Sequence, residues 1–244
     1  MRPRRKANRF APPQIKPLGD SALVVRFGEF EEDKSLDEVS GAMRKIEHAG
    51  IPGIVDLAPG YATLGIFFDP TKIIDTGVEP QFVNAWLEEK IAESLTRRLP
   101  RDKRKVRSIE IPACFDHIFA VDLAEVATHS GMPADEVVDL YCATEFRVVC
   151  LGFTAGFPYL AGLPEKLATP RRANPRKEIA AGSIAIGGKQ TGIYPSISPG
   201  GWNIIGRAAL RLFDPANDPP AFLQAGDCVR FSPITREQFE RSTS

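Results

Sequence analysis

Histidine is scarce in this chain: 244 residues contain three, His48, His117 and His129, far apart in sequence. Cysteine is nearly as sparse. Cys114, Cys142, Cys150 and Cys228 form no C-x-x-C and have no histidine at zinc spacing, which argues against a structural zinc framework, so no metal is expected. Thiols in apolar surroundings read as small buried hydrophobes. With no apolar leader at the N-terminus, they point to a reducing, cytoplasmic setting. No apolar run approaches the roughly 20 residues of a membrane span. Thirty-one cations balance 31 acids, so neither a membrane nor nucleic acid is an expected partner. A nucleophile elbow is missing too, because Ser183 directly follows Gly182 where G-x-S-x-G needs a residue between them. Gly187-Gly188-Lys189 fails as a phosphate loop, with Ser183 where the first glycine belongs and Gln190 after the lysine.

What is present is a patterned α+β chain. Residues 1–17 carry six basic residues and no acid and are expected to be a disordered tail. Residues 18–99 then read as a small α+β domain. A strand at 22–27 leads to a helix over 35–49, with Ser35 and Glu38 at capping-box spacing and Gly50 as the stop. Two strands, 53–58 and 61–68, join through Pro59-Gly60, and a helix follows over 80–99. Residues 42–45 have the outline of an Ala-Met-Lys-Met biotin site. Met43, however, falls on the helix's apolar stripe, so no attached biotin is expected. Residues 97–107 hold seven cations against Asp102 and mark a solvated domain junction.

The second domain, 106–244, opens with a strand at 106–112 and short helices over 122–130 and 133–144. Strands follow at 146–151, 202–205, 208–213 and 228–232, with a hairpin near 184–194. Together they suggest a barrel with its loops gathered at one end. Residues 152–206 hold ten of the chain's 20 glycines and six of its 21 prolines. A linker has few rings to pack, yet here the glycines alternate with Phe153, Phe157, Tyr159, Tyr194 and Trp202. Arg171, Arg172, Lys189, Gln190, Thr191, Asn203 and Arg207 are interleaved with them; guanidinium groups suit carboxylates or phosphates, and side-chain amides suit amide edges. Gly200 and Gly201 would let backbone N–H groups approach a ligand oxygen. His117, Lys189 and Gln190 are the candidates for catalysis, and the surface as a whole suits a small amide, a carboxylate or a proline-containing peptide.

The strings GFPYLAGLP, LATPRRANPR, AAGSIAIGGKQTGIYP and SPGGWNIIGR, with RLFDP and GDCVRF after them, strongly resemble the KipI / allophanate hydrolase subunit 1 family. GDSALVVRFG and IPGIVDLAPGYATL resemble its N-terminal domain. The resemblance implies a small α+β domain followed by a cyclophilin-like β-barrel. It also implies a partner of the KipA / allophanate hydrolase subunit 2 type (the C subunit of 5-oxoprolinase) and an A subunit. The activity it implies is opening of the lactam of 5-oxoproline to glutamate, with ATP, as its magnesium complex, as co-substrate. Inhibition of a sensor histidine kinase and an allophanate or urea-carboxylase role are the other activities found among such relatives. The matched positions are Gly156 to Tyr159, Thr169 to Arg172, Gln190 to Gly192 and Gly200 to Trp202. The chain departs from the usual pattern at Ala62, where relatives carry arginine, and at Asp116-His117, where they carry a glycine pair.

Overall fold

A computed structural model describes residues 13–28, 33–99 and 106–242. The chain divides into two compact units, residues 1–102 and 103–244. The first contains β1 (Gln14–Pro17), β2 (Ala22–Arg26), α1 (Asp33–Ala49), β3 (Ile54–Pro59), β4 (Thr63–Phe68), α2 (Pro70–Ile74) and α3 (Val83–Thr96). Its sheet runs β1-β2-β4-β3, all neighbours antiparallel. Alternate residues Leu23, Val25, Leu64 and Ile66 face one side of the sheet. There they meet Val39, Ala42 and Ile46 from α1 and Leu87 and Ile91 from α3, the periods of strand and helix converging on one core. Met43 packs against this core. Helix α1 stops before Gly50, whose φ of +58° suits glycine.

Two expectations need correction here, and one helix is added. The basic tail does not extend to residue 17, because Gln14–Pro17 pairs with β2, Ile15 opposite Val25. Residues 1–12 lie outside the described residues, as do 100–105 of the junction. The helix expected from residue 80 begins as a 3-10 turn, Pro80–Phe82, and becomes α-helical only at Val83. Helix α2 was not expected; Asp69 caps it by accepting from the Thr71 N–H at 2.9 Å.

The second unit contains β5 (Ser108–Cys114), α4 (Leu123–Ser130), α5 (Ala134–Ala143), β6 (Phe146–Leu151), β7 (Pro158–Ala161), β8 (Arg176–Ile179), β9 (Ser183–Gly187), β10 (Gln190–Ile193), β11 (Ser198–Gly200), β12 (Asn203–Ala208), β13 (Cys228–Pro233) and α6 (Arg236–Ser242). Seven strands close into a barrel in the order β10-β7-β6-β13-β5-β12-β9, with β13 and β5 parallel, while β8 and β11 pair separately. Each barrel strand sends residues into one core: Ile111, Val148, Leu160, Ile184, Ile193, Ile205 and Val229 are at most 1% exposed. Helices α4 and α5 add Val126, Val137 and Tyr141 to it. The α+β class and the barrel therefore stand. The two strands expected at 202–205 and 208–213 are instead the single β12; beyond Ala208 only Phe213 makes an isolated bridge, to Ala221. Helix α6 follows the last strand and buries Phe239.

Candidate functional site

Because strand side chains alternate, the residues between the core positions must face the outside of the barrel. On β10, Thr191 and Ile193 point inward, Thr191 Oγ1 lying 2.7 Å from the Tyr141 hydroxyl, so Gln190 and Gly192 point outward. On β9 the outward residues are Ala185 and Gly187; on β7 Tyr159 is outward, and on β12 Ile204. Against this outer wall lies a second apolar cluster of Phe157, Ile179, Ala185, Tyr194, Trp202 and Ile204, with Tyr159 at its edge. The rings thus gather on the barrel's outer wall, as the period of two requires.

Phe157 is the hub. Its ring makes edge-to-face contacts with Phe153, Tyr159, Tyr194 and Trp202, with centroids 5.5, 5.0, 5.2 and 5.6 Å away. Glycines create the room for it. A Cβ on Gly187 would overlap the Trp202 indole, one on Gly192 would lie 2.9 Å from the Phe157 ring, and one on Gly200 would meet the Tyr194 hydroxyl. The bare Cα of Gly200 thereby makes room for Tyr194, and the Gly201 carbonyl accepts the Arg172 N–H at 2.7 Å. Burial raises the pKa of the Tyr159 and Tyr194 hydroxyls, while nearby Arg171 acts in the opposite direction on both, so two neutral phenols sit close to one guanidinium.

The cations separate by role. Arg171 is exposed, and its guanidinium carbon lies 5.7 Å from the Trp202 ring centroid. Arg172 is engaged elsewhere, donating to Asp122 at 2.5 Å and to Glu125 at 2.8 Å. Arg176 makes a bidentate pair with the same Asp122. Arg207 donates to the Ala181 carbonyl, and its guanidinium carbon lies 5.7 Å from the centroids of both Phe119 and Phe239, rings that pack together 4.6 Å apart beside α6. Lys189 is exposed at the tip of the β9–β10 hairpin, next to outward-facing Gln190. Asn203 is buried and donates to the Pro170 and Ile186 carbonyls, and Thr191 faces the barrel core. His117 stands apart, its side chain 89% exposed beside Asp116.

Of the residues singled out in the sequence, the structure therefore unites Phe157, Tyr159, Arg171, Tyr194 and Trp202, and the register sets Gln190 on the same outward face of the barrel. Phe153, at the rim, has φ +67° and is 59% exposed. Asp122 is a further residue of this region that nothing local in the sequence marks, since its arginine partners lie about 50 residues away. Phe157, Tyr194 and Trp202 are buried by their neighbours, so to a ligand the platform offers the half-buried Tyr159, the Gln190 amide and the Arg171 guanidinium, a set suited to a small ring that bears an amide and a carboxylate. The nearby Cys150 thiol is pushed by burial up to about 11, so it is held as the unreactive thiol at neutral pH. No group of three or more potential metal ligands, and no helix long and apolar enough to cross a membrane, occurs among the described residues.

Residues 13–223 match the family described as carboxyltransferase domain, subdomain C and D. The chain is 48% identical over 217 residues to the 5-oxoprolinase B subunit of Haemophilus influenzae, covering 89% of this chain and 96% of that protein. It is 38% identical to the 5-oxoprolinase B subunit of Bacillus subtilis, covering 93% and 95%. Among solved structures, TTHA0988 superposes with a TM-score of 0.72 at 33% identity over 87% of this chain, which spans only 40% of that longer one. With a match over most of its length, the chain belongs to the family of carboxyltransferase domains, subdomains C and D.

Proposed function

We propose that this chain is the B subunit of an ATP-dependent 5-oxoprolinase, a cytoplasmic hetero-complex that hydrolyses the cyclic amide of 5-oxoproline to glutamate. The observation that carries this reading is the 48% identity extending over 96% of the Haemophilus influenzae B subunit. Its partners are then an A subunit and a C subunit of the KipA / allophanate hydrolase subunit 2 type. Four free cysteines are in keeping with a reducing compartment.

Within the complex we assign lactam binding to the outer-wall platform. The five-membered ring would rest against the half-buried Tyr159, its carboxylate on Arg171 and its amide on Gln190. ATP, when bound by the complex, activates the lactam oxygen. Among the described residues, Arg172 is engaged by Asp122 and Glu125 and the Gly187-Gly188-Lys189 turn lacks the phosphate-loop pattern, so neither fits a triphosphate. No phosphate step is assigned to this chain. Nor is biotin, since Arg44 stands at the lysine position of the biotin-site outline and its guanidinium does not accept the cofactor. The test is reconstitution. Purified chain mixed with A and C subunits should release glutamate from 5-oxoproline only when ATP and all three components are present. Absence of turnover, where the Haemophilus influenzae B subunit supports it with the same partners, would overturn the assignment.

A further inference from the structure

Asp122 occupies the N-cap position of α4, where a carboxylate ordinarily accepts a helix N–H, yet it makes no such bond. Its side chain is 1% exposed, and both oxygens are committed elsewhere. Oδ1 accepts from Arg172 Nη1 at 2.5 Å and Arg176 Nη2 at 2.7 Å; Oδ2 accepts from Arg176 Nη1 at 2.7 Å and from the Ile204 N–H at 2.8 Å. One buried carboxylate thereby joins the start of α4, strand β12 and both ends of the strap 172–176. The strap is also held on either side of Arg171: Asn203 donates to the Pro170 carbonyl at 2.8 Å, and the Arg172 N–H donates to the Gly201 carbonyl at 2.7 Å. Both of the strap's arginines are spent in fixing it, and Arg171, just before it, is the one over Trp202.

We propose that Asp122 is a positioning residue: without touching the ligand, it clamps Arg172 and Arg176 so that Arg171 is presented over Trp202 at the angle a carboxylate requires. The proposal rests on the reading of the platform as the substrate site. A carboxylate serving stability alone would leave the Arg171–Trp202 geometry unchanged once the protein is folded.

The experiment uses the full chain with Trp86→Phe, which leaves Trp202 as the sole tryptophan. Arg171→Ala defines the uncovered indole by its acrylamide quenching. Asp122→Asn should move quenching at least halfway to that endpoint. In the reconstituted complex it should raise the KM for 5-oxoproline about tenfold, with kcat within about threefold. Should Asp122→Asn fail to fold, Arg176→Gln carries the test, since its side chain is 28% exposed and its loss opens half of the clamp. Quenching and KM at the parent's values in the folded variant, while Arg171→Ala raises KM, would overturn the positioning role and leave the platform standing. An unchanged KM for Arg171→Ala would overturn the platform reading itself, a separate failure, and the positioning role with it.

Discussion

At Gly187 the missing side chain is what lets the Trp202 indole lie against β9. Gly187→Ala therefore drives a methyl into the ring and is expected to destabilise the barrel by about 1–3 kcal/mol in urea unfolding, with a changed Trp202 emission. Phe157, in contact with four rings and 2% exposed, is the costlier position; Phe157→Ala should cost about 3–5 kcal/mol by the same measurement. Phe153 behaves differently. A phenylalanine at φ +67° costs about 1–2 kcal/mol in backbone strain, and 59% of this one stays in solvent. Phe153→Asn, which tolerates that dihedral, is expected to leave the unfolding midpoint unchanged or higher while lowering turnover of the assembled complex. The rings and glycines were legible as a group in the sequence because a linker has no use for rings. The division of labour among the arginines was not: Arg171, Arg172 and Arg176 look alike until Asp122, buried about 50 residues upstream, chooses two of them.

Among the elements, alternation decides which wall a residue joins. Thr191 and Gln190 were grouped in the sequence as neighbours in one polar run, yet a period of two sends them to opposite faces of β10. Strands with a β-branched apolar face were readable for that reason, whereas β1 is concealed in a basic, proline-rich segment with only Ile15 to mark it. Short helices such as α2 and α6 carry too few turns to display a period. The α4 start is held by the Asp122 cluster, and Asp122→Ala, leaving Arg176 without its carboxylate, Arg172 with Glu125 alone and the Ile204 N–H without its acceptor, should cost about 3–5 kcal/mol. Helix α5 and strand β6 set a pH dependence. Burial pushes the thiols of Cys142 and Cys150 from 9.0 up to about 11 and raises the Tyr141 hydroxyl as well. The unfolded chain ionises first, so this stabilisation is complete below pH 9 and is lost as pH rises toward 11. Urea midpoints measured from pH 8 to 11 should fall across that window, and Cys150→Ala should flatten the decline.

On the scale of the whole molecule, each unit has its own apolar core, one built on the four-stranded sheet and one filling the barrel. Residues 1–102 and 103–244 produced separately should therefore each unfold cooperatively, followed by circular dichroism against urea. The order of domains and the barrel were readable from strand spacing; placement of the site on the outer wall was not, because it needs the register of β7, β9, β10 and β12 together. The central claim is that this wall, through Arg171, grips the carboxylate of a small cyclic amide. A charge-assisted contact of about 1.5–3 kcal/mol corresponds to roughly ten- to a hundredfold in affinity. The most direct measurement is the KM for 5-oxoproline of complexes reconstituted with Arg171→Ala and, as a cation engaged by the Ala181 carbonyl and the Phe119 and Phe239 rings, Arg207→Lys. The account predicts at least a tenfold rise for the first and less than twofold for the second; equal KM values for the parent and Arg171→Ala would contradict it.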